Sequence, residues 1–401
     1  MSFPITQTWI EINKNAFDHN IASLHTIAEH QKIAVVVKAN AYGHGISEIA
    51  QLCQQNPHVH MLCTVSISEA LHLRSIGITK PILVLGIFDR DPAYAIAQNI
   101  EFVIHDATTV QQLNAIAQNL QVQCKIHLKI DTGLSRLGIA PNDALAFVQF
   151  IQTLSHVQVY GICSHFAESP KEDITYTLHQ YQQFHSVLET LKMQNIEIPY
   201  RHIANTSGSL SFDFPDTSLI RVGACAYGLI PSNATLQRVQ AKHPDFSLQP
   251  ALSWHARIMH IRTIPAGSAV GYDRTFTTNR TTKIAFLPIG YTDGYSKRLS
   301  NKSQVLIKKQ NVLAPVIGRI AMNMTSIDVT DIPDIAVGDE VLILGDHPMI
   351  NAIHLAELIE SYNPREFTAG LSMAIRREIT TESCIQFSTM QKQNSITGKI
   401  R

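Results

Sequence analysis

Charge imbalance, cysteine pairs and long apolar runs are all missing from this sequence, and each absence removes a class of function. Acidic and basic residues number 32 each, so the net charge is zero. Nothing in that balance marks a nucleic-acid binder or a protein of anionic membrane surfaces. Nowhere do about 18 apolar residues follow one another, so no membrane-spanning helix is expected. The opening residues, Met1-Ser2-Phe3-Pro4-Ile5-Thr6, lack the basic and apolar blocks of a secretory leader, and a cytoplasmic location is expected. Six cysteines, at 53, 63, 124, 163, 225 and 384, show no paired metal spacing. They read as small buried apolar residues in a reducing compartment. The 19 histidines include no His-x-x-x-His. His58 and His60 can share a strand face, but no third ligand is signalled nearby, so no metal site is expected. No internal repeat is present beyond a strand–helix rhythm.

That rhythm is what the chain does have. With 401 residues and 45% apolar content, it suits two domains, or one barrel plus an appendage. Ile33 to Val37 is a run of five apolar residues, four of them β-branched, and reads as a strand buried on both faces. Seven further strands are predicted at His58–Val65, Pro81–Leu85, Phe102–Ile104, Cys124–Ile130, Val157–Cys163, His202–Ala204 and Ile220–Val222. Helical patterns lie between them, among them Ser68–Ser75, Thr108–Asn119, Asp143–Leu154 and Ile174–Gln194. Eight alternating units predict an α/β TIM barrel of eight parallel strands. A doubly wound open sheet competes, but no Gly-x-Gly-x-x-Gly follows a strand.

From about Leu248 the pattern changes to short alternating segments separated by Gly, Pro and Asn turns. Ala256–Ile261, Thr282–Leu287, Gln304–Ile307 and Glu340–Leu344 predict a mostly-β C-terminal domain, with one helical patch at Ile353–Tyr362. The expected division is a barrel over 1–245, a β domain over 246–383 and a loose tail over 384–401. The strand at about 8–12 can join the β domain.

Lys38 ends the first apolar strand, and Gly43 and Gly45 supply a turn before a helical run, Ile46–Gln54. A lysine there is ordinarily a surface cation whose ammonium reaches water. Held instead in a partly desolvated site, its pKa falls and the amine becomes a nucleophile toward carbonyls. In a TIM barrel the chemistry sits at the carboxyl ends of the strands. Those ends carry Lys38 and Tyr42, Lys129 with Arg136, Ser164-His165, His202 with Asn205-Thr206, and Arg221-Val222-Gly223. One histidine on an apolar strand is usually a satisfied core group; several candidates on one rim point to a site.

The segment Lys38-Ala39-Asn40-Ala41-Tyr42-Gly43-His44-Gly45 resembles the cofactor-binding segment of alanine racemases. Further motifs of that family follow in order: Lys129-Ile130-Asp131-Thr132-Gly133, Gly161-Ile162-Cys163-Ser164-His165-Phe166-Ala167, His202-Ile203-Ala204-Asn205, Arg221-Val222-Gly223 and Tyr227-Gly228-Leu229. The later part adds Leu287–Tyr295 and Gly318–Met324. The resemblance implies a racemase that interconverts L- and D-alanine with pyridoxal 5'-phosphate (PLP), supplying cell-wall precursors. It implies that Lys38 carries PLP and that Lys38 and Tyr272 are the two catalytic bases. Tyr42, Arg136, His165, Asn205, Thr206, Arg221, Gly223 and Ala224 would hold the cofactor, and Arg136 and Met322 the substrate. Lys129 matches a lysine that many relatives carry as a carbamate. Residues matching Tyr272 and Met322 reach the partner's site, so a homodimer with shared active sites is implied.

The chain departs from the family at Ala321-Met322-Asn323, where a carboxylate is usual at 323, and at Arg365, where a tyrosine is usual. Ser372-Met373-Ala374 likewise replaces Ser-Arg-Arg. These changes leave open a racemase of broader or different amino-acid range. A barrel-plus-β decarboxylase would carry a glycine-rich phosphate loop and a Cys-Asp-Gly motif, and neither is present. A PLP carrier on the same barrel would lack the β domain.

Overall fold

The structure, a computed structural model, describes residues 7–28, 30–361 and 363–381. The expected loose tail, Cys384 and Tyr362 lie outside the described residues. The chain forms two compact units: Ala16–Gln249, and the described parts of Met1–Asn15 with Pro250–Arg401.

The first unit is a barrel of eight parallel strands, Lys32–Val36, Val59–Ser66, Ile82–Ile87, Glu101–Ile104, Cys124–Lys129, Val157–Cys163, Tyr200–His202 and Leu219–Val222. Each pairs with its sequence neighbour, and the first also pairs with the eighth. The seventh and eighth are joined outside the regular ladder, by Ser218 N–H to Arg201 O at 2.9 Å and Arg221 N–H to Ala204 O at 3.2 Å. This is the TIM-barrel architecture that the alternation predicts. Because side chains alternate along a strand, every second residue enters the barrel. Ala34, Val36, Met61, Cys63, Leu83, Val103, Cys163, Tyr200 and Leu219 pack there. Helices cover the outside with their apolar faces inward; Ile46–Gln55 buries Ile49, Ala50, Leu52 and Cys53. Two crossover helices begin at caps readable in the sequence: Ser66 accepts from Glu69 N–H, and Asp106 from Thr109 N–H.

Some expected boundaries shift. The seventh strand is Tyr200–His202 rather than 202–204, because the ladder sets Cys163 opposite His202 and leaves Ile203 and Ala204 beyond it. Short helices at Ala93–Ala97 and Thr206–Ser211 have no long apolar period to announce them.

In the second unit, Thr8–Asn13 pairs antiparallel with Leu252–Arg257 and parallel with Arg376–Thr380, inside a six-stranded sheet. The expected single segment Ala256–Ile261 is in fact two strands, Leu252–Arg257 and His260–Ile264, in different sheets. Between them Ile258 N–H bonds to Asp339 O and Met259 N–H to Phe286 O, which carries the chain from one sheet to the next. In the second, three-stranded sheet Ile264 and Ile284 pack with the nearby Ile317 and with Val270 of a small hairpin, Ala269–Val270 with Phe276–Thr277. The helical patch is Ala352–Leu358.

Candidate active site

Lys38 lies two residues beyond the first barrel strand, at the start of a left-handed turn. Ala39, Asn40, Ala41 and Tyr42 all have φ between 52° and 56°. A left-handed conformation costs an L-residue about 1–2 kcal/mol, so four in succession need support. Glu69 accepts from Ala39 N–H at 2.8 Å and from Val65 N–H at 2.8 Å. Asn40 accepts from Ile46 N–H through its side chain at 2.8 Å, and from Gly43 and Gly45 N–H through its carbonyl at 3.0 Å each. The expected tight turn at the glycines therefore begins earlier. Strain of this kind collects where function over-determines the backbone.

Arg221, on the eighth strand, is 6% exposed. Its Nη1 donates to His202 O at 3.1 Å and to His202 Nδ1. Its Nη2 donates to Ser164 O at 2.8 Å, His165 Nδ1 at 3.1 Å and Ile203 O at 3.2 Å. Among the described residues nothing accepts from its Nε–H, and no carboxylate pairs with it. Burial pushes even this guanidinium below its ordinary pKa.

Tyr42, Thr206 and Gly223 meet at a neighbouring corner of the rim. Gly223 N–H donates to Thr206 Oγ1 at 3.1 Å. A Cβ on Gly223 would come within 2.6 Å of the Tyr42 hydroxyl, so the glycine is what lets the phenol reach the backbone. Asn205 accepts from Gly208 N–H at 3.0 Å and Ser169 Oγ–H at 2.8 Å; it caps the short helix that presents Thr206. Ala224 opens the turn Ala224–Tyr227.

Cations at this rim are held in disfavoured states. Burial, then the Arg136 guanidinium, lowers the Lys38 amine. Burial, with Arg221 and Arg136 adding repulsion, brings Lys129 to about 8. Burial and then Arg221 hold His165 well below the usual histidine range. Arg136 itself is exposed, on a loop whose Asp131 accepts from Gly133, Leu134 and Ser135 N–H. A cluster of donors that cannot comfortably share their positive charge suits an anionic ligand, and the corner formed by Tyr42, Thr206 and Gly223 offers hydroxyl groups for it.

Tyr272 and Met322 belong to the second unit. Tyr272 stands at the tip of the small hairpin and is 70% exposed. The tip is fixed by the Asp273–Arg319 ion pair at 2.6 Å and by close approach of Gly271 to the Arg319 backbone. Met322 is 54% exposed, and its carbonyl accepts from Thr292 N–H at 3.2 Å.

Comparison with known proteins gives the family of both units. The family model described as "Alanine racemase, N-terminal domain" matches residues 12–231, and that described as "Alanine racemase, C-terminal domain" matches 251–379. The chain belongs to the alanine racemase family. It is 34% identical over 375 residues to the alanine racemase of Halothermothrix orenii, covering 92% of this chain and 96% of that protein. The solved alanine racemase of Clostridium difficile 630 superposes with a TM-score of 0.86 at 29% identity, covering 94% of this chain and 97% of that one. A Bartonella henselae alanine racemase, solved with covalently bound pyridoxal phosphate, shares the fold at a TM-score of 0.77 and 24% identity, over 94% of this chain and 100% of that one. The activity established for this family is therefore that of an amino-acid isomerase acting on alanine.

Within the alanine racemase family, the departure at 323 has a local explanation. Thr292 donates its hydroxyl proton to Met322 O at 2.8 Å, so its oxygen is left to accept from Asn323 Nδ2 at 2.7 Å. A carboxylate at 323 would set two acceptors against each other. Arg365 lies in the first turn of Pro364–Ala369, and its Nε donates to Asn363 Oδ1 at 2.6 Å. Sequence reasoning missed His127 and Glu101. His127 shares the inward face of its strand with Lys129, two residues on, and that spacing was the available signal.

Proposed function

We propose that the carboxyl end of the barrel holds PLP through Lys38 and moves the α-proton of alanine between Lys38 and Tyr272. The carrying observation is the set of buried basic groups pushed away from their charged forms, Lys38, Lys129, His165 and Arg221, beside the corner built by Tyr42, Thr206 and Gly223. When bound, PLP supplies the electron sink that makes the Cα–H of an amino acid acidic.

The remaining roles belong to the chain. Tyr42, Thr206 and the backbone N–H groups around Gly223 and Ala224 would take the phosphate, with Asn205 capping the helix that presents Thr206, and Arg136 would take the phenolic oxygen and the substrate carboxylate. Arg221, positioned by His165, would be the group facing the cofactor's ring nitrogen. Arginine cannot surrender its proton, so it would hold that nitrogen unprotonated and moderate the electron sink the cofactor supplies. The Lys38 amine, lowered by burial and Arg136, is suited to take a proton at neutral pH. A second base must stand on the opposite face, since return of the proton to one face retains configuration. The Tyr272 phenol is that group, with Met322 beside the substrate. The exposure of Tyr272 and Met322 supports their delivery to the site of a second copy, which makes the working unit a homodimer. The product, D-alanine, serves cell-wall precursor synthesis in the cytoplasm. A broader amino-acid range is the second reading, favoured by the Asn323–Thr292 pair and by Arg365.

Protein incubated with PLP, reduced with borohydride and peptide-mapped should carry its label on Lys38. It should also convert L-alanine to D-alanine in a chiral assay, faster than it converts serine or valine. A label on Lys129 overturns the anchor, and equal rates for the three amino acids overturn the preference for alanine.

A further inference from the structure

Arg221 and Glu101 are both buried, at 6% and 2% exposure, and they lie on strands separated by three others. Among the described residues Arg221 pairs with no carboxylate, and the Glu101 carboxylate meets an imidazole. Two such charges alone in a barrel interior would each be costly. Between them runs a single file of side chains. Arg221 Nη1 meets His202 Nδ1; His202 Nε2 meets His127 Nδ1 at 2.7 Å; His127 Nε2 meets Glu101 Oε2 at 2.8 Å. Both histidines are fully buried.

Hydrogen-bond chemistry permits one direction for this line. Arginine is a donor only, so His202 Nδ1 must accept. Its proton is then on Nε2 and is donated to His127 Nδ1, which must therefore be bare. His127 carries its proton on Nε2 and gives it to Glu101. The donor at one end and the carboxylate acceptor at the other thus require the same two tautomers, with an acceptor facing the guanidinium. Room for the line comes from the sixth strand. Gly161 is paired with His127, and a Cβ there would lie 2.2 Å from His127 Nδ1.

We propose that Glu101 is a positioning residue for racemisation: through His127 and His202 it orients Arg221 in the barrel and serves as its relayed counter-ion. This rests on the reading of Arg221 as the group facing the cofactor ring. Glu101 touches no residue assigned to cofactor or substrate, so its effect must travel along the imidazoles. It should appear in turnover rather than in alanine binding.

The test is NMR of protein 15N-labelled in its histidine side chains, without cofactor, together with kinetics of the PLP-loaded enzyme. In the wild-type protein His127 and His202 should both be neutral and protonated on Nε2. In Glu101→Ala the His127 Nε2–H loses its acceptor, so the His127 ring resonances should move while Arg221 keeps His202 protonated on Nε2. The variant's kcat should fall about tenfold, the scale of one lost hydrogen bond, with the KM for alanine within about twofold. Glu101→Gln should restore both spectrum and most of kcat, because its amide oxygen accepts the same N–H. Gly161→Ala, with Glu101 intact, should displace the His127 ring, break its bond to His202 and shift the resonances of both rings. An imidazolium spectrum for wild-type His127 overturns the proposal. So does a folded Glu101→Ala protein with an unchanged His127 spectrum and an unchanged kcat. If the alanine variant does not fold, the wild-type and Glu101→Gln spectra still decide. Wild-type protein that fails to take up PLP overturns the functional reading instead, while the histidine spectra still report on the line.

Discussion

In the barrel unit Arg221 is 6% exposed and meets no carboxylate among the described residues, whereas in the β unit Arg280 lies 2.5 Å from Asp331 and Lys308 lies 2.5 Å from Glu340. The β unit settles its charges in pairs at or near the surface, where each pair contributes little. The barrel unit gathers Lys38, Lys129, His165 and Arg221 at one rim and depresses the pKa of all four. The difference teaches where a ligand is missing. Packing that leaves several cations short of counter-charge is stable only because the rest of the fold over-determines it, and an anion bound there relieves it.

Two substitutions should break this contrast most sharply. Arg221→Leu removes the donor that His202 and His165 accept from and leaves Glu101 without its distant counter-ion. Unfolding by urea should show a loss of about 1–3 kcal/mol, the range for leaving buried acceptors without their donor. Tyr272→Phe, on an exposed hairpin tip, should leave stability within about 0.5 kcal/mol. Racemisation should nevertheless fall by roughly 10²–10⁴-fold. Exchange of the Cα proton with solvent should persist from the enantiomer that Lys38 serves; wild-type exchange from both enantiomers would point to another second base.

Titration sharpens the same comparison. Lys129 is lowered from 10.5 to about 8 in the folded barrel. Between those values the unfolded chain binds more protons than the folded one, so this group makes stability rise with pH over that window. Glu340 behaves oppositely. Burial alone would raise its carboxyl, but hydrogen bonds from His255 and Lys308 bring it from 4.5 down to about 2. Its contribution is present above pH 4.5 and is lost as pH falls through 2. Amide exchange read separately in the two units should show the barrel responding on the alkaline side and the β unit on the acid side. The same acid response in Glu340→Gln as in wild type would remove that assignment.

The smallest expected effect is at Asn323. Asn323→Asp should cost about 0.5–1.5 kcal/mol by setting its carboxylate against the Thr292 oxygen, and Thr292→Ala should remove most of that cost. Additive effects in the double-mutant cycle would show that the two residues are not coupled.

The barrel rhythm was legible because period-2 apolar runs and helical faces are local, and so were the strand-end residues, which follow from that rhythm. The left-handed turn at Ala39–Tyr42 was not, since only Asn40 of those four residues favours positive φ. Glu69 and Asn40, which hold it, act through tertiary and turn contacts. The short helices at Ala93–Ala97 and Thr206–Ser211 were missed for want of length.

By itself, then, the sequence determined the order of strands and helices and the change to β structure after about residue 248, and its motifs named Lys38, Arg221 and Tyr272 as candidates. Only the tertiary structure decided that Thr8–Asn13 pairs with Leu252–Arg257, and that Glu101, His127, His202 and Arg221 form one line. Periodicity says which face of a strand is buried. Which residue it meets depends on the register between strands, here Gly161 against His127 and Cys163 against His202, and register is a property of the closed barrel.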